Sequence, residues 1–256
     1  LQAASLIAIE QSRDDDWLVE LARRMAAVGG VLGAVSYMVE DLPRLLERMF
    51  ELAGEYGLDI DFHADETNDP GSRSLGLIAE AALRHRFQGR VLVGHCCALA
   101  HYSESEAKRT LDRVARAGVA VVSLPLCNLY LQDRRPGTTP HWRGVTRLHE
   151  LKAHGVTTLL ASDNTRDPFY AYGDLDMLEV YREATRILHL DHPVGDWVRS
   201  VTRDAAAAFV MLAKRTRRAR IVGEETGSNA AAFNGGHELL VRLPHSGIQV
   251  VIPLVR

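Results

Sequence analysis

Short apolar runs rich in β-branched and aliphatic residues recur along the chain at Leu6–Glu10, Val31–Tyr37, Leu58–His63, Val91–His95, Val119–Leu124 and Thr157–Ser162. Between them, Trp17–Val28, Leu42–Tyr56, Ser74–Arg84, Ser105–Ala117 and Val145–His154 place Leu, Ala, Ile or Met at three- and four-residue spacing, which predicts amphipathic helices. The short runs are continuous rather than alternating, so the strands are expected to be covered on both faces, as in a parallel sheet of an α/β fold. Beyond these units the pattern changes. Asp174–His189 and Val194–Ala213 read as helices, a basic stretch Lys214–Arg220 follows, and Glu238–Leu243 and Ile248–Val255 read as strands of an antiparallel element. The expected division is therefore an α/β domain over residues 1–213 and a C-terminal β segment over 214–256.

Polar or ionisable residues collect where the apolar runs end: Glu10 and Gln11, Tyr37, His63 with Glu66, His95, Asn128, and Asp163 with Asn164. In a barrel or an open α/β sheet this edge binds ligands, because strand ends and the following loops converge there. Imidazole and carboxylate suit zinc or ferrous iron, and a metal with an open position lowers the pKa of bound water until hydroxide is available near neutral pH. Glu66, three residues beyond His63, is placed to relay a proton as general acid and base. A single His at a strand end is more often a packed structural residue, and a single loop Glu a solvated one. The joint placement of His63, His95 and Asp163 on successive units favours a site. Cys96 and Cys97 are adjacent on an extended segment, so their side chains diverge and are read as packing.

Composition narrows the partners. The chain has 256 residues, 46% of them hydrophobic, enough to bury a substantial core. Its net charge of −3 comes from interspersed signs, so no field of one sign is available to recruit nucleic acid or an anionic membrane, and a small-molecule substrate is expected. No apolar stretch approaches the length of a bilayer span. Three cysteines, two of them adjacent, give no disulfide framework and suggest a reducing cytoplasm. No glycine-rich phosphate loop follows any strand, since Gly29-Gly30 precedes one, which weakens a phosphate-binding assignment.

Five blocks occur in order: Asp61-Phe-His-Ala-Asp-Glu-Thr-Asn-Asp69, Val-Gly-His95-Cys-Cys-Ala-Leu, Leu-Pro-Leu-Cys-Asn128-Leu-Tyr-Leu-Gln132, Arg143-Gly-Val-Thr146 and Ser-Asp163-Asn-Thr-Arg-Asp-Pro168-Phe-Tyr. Together they resemble the cytosine deaminase branch of the amidohydrolase superfamily, from about Leu6 to Ala208. The resemblance implies a TIM-barrel-like (β/α)8 fold, one divalent iron or zinc ion, and hydrolytic removal of an exocyclic amino group from a pyrimidine-like ring as ammonia. It implies that His63 and Asp163 bind the metal, with Asp163 also touching the nucleophilic water. Glu66 would shuttle protons to a ring nitrogen, and His95 would hydrogen-bond the water or the developing oxyanion. It further implies substrate contacts from Gln11, Asn128 and the aromatic Phe169, each with an ordinary packing or turn role as the alternative.

Two departures bear on these expectations. Asn164, also expected to contact substrate, stands where cytosine-specific members carry a second Asp, and an amide both donates and accepts, so the preferred ring is expected to differ. The family's His-x-His pair, which supplies two further metal ligands, is absent, because the first His in the chain is His63. The fold is therefore expected to be incomplete, with about six of eight strands, and two unpaired edges predict self-association as a homo-oligomer, weak metal binding and little turnover. Other amidohydrolase chemistry, such as opening a cyclic amide, and a non-catalytic remnant that keeps the pocket remain as alternatives.

Overall fold

The structure, a computed structural model, describes residues 3–193, 196–202 and 204, together with the strands Arg220–Val222, Glu238–Arg242 and Gln249–Pro253. The chain divides into two compact units, Leu1–Leu188 and His189–Arg256.

In the first unit, strands β1 (Ala4–Ala8), β2 (Val31–Ser36), β3 (Ile60–Ala64), β4 (Val91–His95), β5 (Ala120–Ser123) and β6 (Thr158–Leu160) form one sheet in chain order. Every neighbouring pair is parallel. Helices α1 (Asp15–Val28), α2 (Leu42–Tyr56), α3 (Ser74–Arg84) and α4 (Glu104–Ala117) return the chain after the first four strands. The short helices α5 (Pro125–Leu131) and α6 (Leu148–Ala153) follow β5, and α7 (Met177–Leu188) follows β6. These are six consecutive βα units of the barrel type expected from the sequence, because parallel strands require a crossover of about a dozen residues and the helical segments supply it.

The core lies between the sheet and its helical layer. Leu18 of α1, Leu32 of β2, Leu45, Leu46 and Met49 of α2, and Phe62 of β3 are fully buried. Phe50 meets Phe87 edge-on at 5.1 Å between ring centroids. Burying one such side chain stabilises the fold by about 1.5–3 kcal/mol. The other face differs from the expectation of two covered faces: Leu6 is 54% exposed and Val35 37%. Along β1 buried and exposed residues alternate, whereas β2 is buried at every position except Val35, so the second face is left open only in part.

Several boundaries shift. The first run ends as a strand at Ala8, and Ile9–Arg13 form a 3-10 turn. The helix read over Val145–His154 begins only at Leu148, and Asp163 lies three residues past β6 rather than at its end. Within the described part of Val194–Ala213, Trp197–Ser200 form a 3-10 turn; the rest of that segment and most of Lys214–Arg220 lie outside the described residues. In the second unit, β7 (Arg220–Val222), β8 (Glu238–Arg242) and β9 (Gln249–Pro253) pair antiparallel, as the pattern predicted. No helix among the described residues is long and apolar enough to cross a membrane.

Candidate active site

Strand alternation sets the first feature of the site. On β3, Phe62 points into the core with no exposure, so its neighbours Asp61 and His63 share the opposite face. The chain then turns at Asp65, whose φ is 54° and whose buried carboxylate accepts from Ser72 Oγ at 2.7 Å and from the backbone N–H groups of Ser74 and Leu75, each at 2.9 Å. Asp65 thus satisfies the first turn of α3, where a negative charge also meets the helix dipole. Its neighbour Glu66 is left free of that task.

Next along the sheet, β4 ends on His95, with φ at 69° and Cys96 following at 52°. After β6, Asp163 has φ at 66°. Left-handed backbone at non-glycine residues is uncommon and concentrates at functional sites, where surrounding structure holds it in place. Three such turns fall on the same edge of the sheet.

The side chains converge there. His95 is 2% exposed, and its Nε2 lies 3.1 Å from His63 Nδ1. Asn128, fully buried on α5, donates through Nδ2 to Glu66 Oε1 at 3.0 Å and to His95 Nδ1 at 3.0 Å. Gln132 Nε2 donates to the Glu66 carbonyl at 3.2 Å. Cys127 Sγ donates to the carbonyls of Ser162 and Asn164, each at 3.4 Å, bracketing Asp163. Gly144, with φ at 72°, lies so close to the end of α5 that a Cβ would stand 2.7 Å from Asn128 O and 2.5 Å from Gln132 Cβ. Only glycine lets the loop pass there.

Burial governs the electrostatics. Desolvation and the negative charge of Asp163 push the Glu66 carboxyl up to about 7, against the Asn128 hydrogen bond, which lowers it. The Asp163 carboxyl is raised by burial, with His63 opposing the shift. His95 is brought down to about 3 by burial and by its neighbour His63, so its ring is neutral at ordinary pH. Burial and Asp163 push the Cys127 thiol up to about 12, which keeps it a neutral donor. Cys96 and Cys97 are buried with their thiols raised by desolvation, in keeping with packing roles.

The structure thus joins His63, Glu66, His95, Asn128 and Asp163, and leaves other expected residues apart from that network. Gln11 sits in the turn after β1, its Oε1 accepting from Ala8 N at 2.9 Å. Phe169 is 64% exposed, and its N–H donates to Asp167 Oδ1 at 2.9 Å. Asn164 donates its side-chain amide to Asp167 Oδ2 at 2.5 Å, and only its backbone carbonyl meets Cys127. Asn128 is helical rather than in a loop or turn; Pro125 at the start of the segment signals that helix. Gln132, Cys127 and Gly144 were not singled out from the sequence, although the blocks around them were.

An imidazole and a carboxylate are the donors a catalytic zinc or iron takes, and two carboxyls raised by the protein around them, with no arginine beside them, leave this rim receptive to a cation. His63 and Asp163 fit as two such ligands. Among the described residues no group of three or more His, Cys, Asp or Glu side chains is gathered as a metal cluster, whereas catalytic zinc usually takes three protein ligands.

Six βα units with imidazoles and carboxylates on the C-terminal edge of their strands place the chain among barrel-type α/β proteins. A profile of the amidohydrolase family matches residues 9–216, and the chain belongs to that family. It is 53% identical over 207 residues to a pterin deaminase of Rhizobium rhizogenes, covering 81% of this chain and 47% of that protein. It is 27% identical over 134 residues to an N-isopropylammelide isopropyl amidohydrolase of a Pseudomonas species, covering 52% of this chain and 30% of the relative. The crystal structure of a 5-methylcytosine deaminase from Klebsiella pneumoniae, liganded with phosphonocytosine, superimposes with a TM-score of 0.72 at 27% identity, over 82% of this chain and 52% of that one. The chain spans about half the length of the first and last of these relatives.

Proposed function

We propose that this chain carries the proton-transfer side of a deaminase site that removes an exocyclic amino group from a pterin-type ring. The observation that carries this reading is the gathering of His63, Glu66, His95 and Asp163 on one rim, with Glu66 shifted to about 7. The cytosine-like ring expected from the sequence gives way to a fused aminopyrimidine, supported by the 53% identity to a pterin deaminase. The amide of Asn164, where a second carboxylate was expected, agrees with a change of ring.

Water adds to the ring carbon that bears the amino group, the carbon–nitrogen bond breaks, and ammonia leaves. His63 and Asp163 would hold the divalent ion, iron or zinc, whose chemistry when bound is to make hydroxide available near neutral pH. Asp163 accepts a proton from the attacking water, as its buried carboxylate favours the protonated form. Glu66, poised near 7, delivers a proton to the adjacent ring nitrogen and takes one back from the adduct's hydroxyl as the carbonyl forms, while Asp163 passes the proton it took from water to the departing amine, so both carboxyls end as they began. Neutral His95, its two ring nitrogens engaged by Asn128 and His63, holds the His63 imidazole in place at the rim. The three free cysteines support a reducing, cytoplasmic setting.

The test is a chimera in which residues 9–216 replace the matching segment of the Rhizobium rhizogenes pterin deaminase. Ammonia release from pterin is expected. A chimera that folds and retains metal but leaves pterin intact overturns the reading, and release from cytosine alone overturns the choice of ring.

A further inference from the structure

The side-chain amide of Asn128 has both hydrogens committed and its oxygen unmatched. Nδ2 donates to Glu66 Oε1 and to His95 Nδ1, each at 3.0 Å, while Oδ1 is buried with no hydrogen-bond partner among the described residues. An NH2 group can only donate, so His95 Nδ1 accepts and carries no hydrogen of its own. A neutral imidazole then carries its hydrogen on Nε2, and that nitrogen lies 3.1 Å from His63 Nδ1. His63 Nδ1 must accept, which leaves the His63 hydrogen on Nε2.

We infer that Asn128 is a positioning residue, and that its amide, relayed through His95, sets the tautomers of both imidazoles at the rim. This role differs from the substrate contact expected of it. With the side chain fully buried on α5 and both donors occupied, nothing of Asn128 faces an incoming ring. The inference deepens the proposed reading of the site by saying which nitrogen of His63 can bind metal. A ring nitrogen that carries a hydrogen is not a ligand, so His63 Nε2 becomes one only when the pair of tautomers inverts. Inversion makes His95 Nδ1 a donor, and the unmatched Oδ1 of Asn128 is the acceptor that turning the amide would present to it. Metal-ligating imidazoles ordinarily donate their second N–H to a fixed acceptor, and here that acceptor is His95 with Asn128 behind it.

The experiment is histidine 15N NMR on the metal-free 256-residue chain at pH 8, where an ordinary imidazole is neutral. The wild type is expected to show His95 and His63 each with hydrogen on Nε2 and a bare Nδ1. Asn128→Leu, which neither donates nor accepts, is expected to leave both rings as tautomer mixtures. Circular dichroism confirms that the variant keeps its fold. His95 protonated on Nδ1 in the wild type overturns the inference outright, even if the variant does not fold. So do unchanged tautomers in a folded Asn128→Leu chain. Because the readout needs neither metal nor substrate, a chimera without deaminase activity would sink the functional proposal and leave this one intact, and the reverse holds equally.

Discussion

The C-terminal edge of the sheet has two halves built from the same residue types with opposite results. At β1 and β2, Glu10 accepts from the Tyr37 hydroxyl, Asp41 pairs with Arg13 and Arg44 at 2.8 Å each, and Gln11 satisfies its own turn. The Glu10 and Asp41 carboxyls lie below their ordinary values because hydrogen bonds from Tyr37 and from Arg13 favour the charged form. At β3 to β6 the carboxyls of Glu66 and Asp163 move the other way, since burial dominates and no arginine compensates. The proton affinity of these carboxyls therefore follows the protein packed around them and the absence of a cationic partner, and the mere presence of acids and imidazoles at strand ends is not enough.

The comparison breaks most sharply at Asp163. In the chimera, Asp163→Asn is expected to lower ammonia release by about 10²–10⁴-fold, the range for losing a general base, while Gln11→Ala stays close to the parent. Steady-state kinetics on pterin decide it, and an Asp163→Asn rate above about a tenth of the parent would remove this carboxylate from the chemistry. Two adjacent acids sharpen the contrast further. Asp65→Ala strips the acceptor from two backbone N–H groups of α3 and is expected to cost about 2–4 kcal/mol in urea unfolding, whereas Glu66→Gln leaves the unfolding midpoint nearly in place.

A smaller difference is spectroscopic. A protonated carboxyl band that titrates near pH 7 is expected in the infrared spectrum and should vanish in Glu66→Gln. Glu10→Gln should instead remove a band titrating below the usual 4.5. Smallest of all, Asp41→Ala breaks two exposed ion pairs, and the urea midpoint is expected to stay within experimental error, because such pairs contribute little in solvent.

Much of this arrangement is legible from residue order alone. Continuous apolar runs reveal six strands, and the residue after each run marks the rim, which is how His63, Glu66, His95 and Asp163 can be recognised. Contacts between units are another matter. That Asn128 spans from α5 to Glu66 and His95 depends on the angle at which a short helix leaves β5, and spacing along the chain carries no such angle. Gln11 illustrates the converse: its place in the order is right for a ligand contact, yet its amide is taken by a local turn. Local hydrogen bonds of this kind compete for polar side chains at strand ends, and pattern alone cannot tell which partner wins. The exposed Leu6 shows the same limit for apolar residues, because periodicity identifies a face without saying what covers it.

The left-handed turns at His95, Cys96 and Asp163 carry a consequence for how this sequence drifts. Each L-residue held there costs about 1–2 kcal/mol that glycine would not. A library screened only for survival on heating would therefore enrich glycine at the half-exposed position 163, gaining robustness as it erased the carboxylate, whereas at the buried positions 95 and 96 lost packing offsets the gain. Screening for growth that depends on turnover would hold the strained residues in place. The ratio of glycine recovered under the two regimes would measure, position by position, how strongly chemistry opposes stability in this sheet.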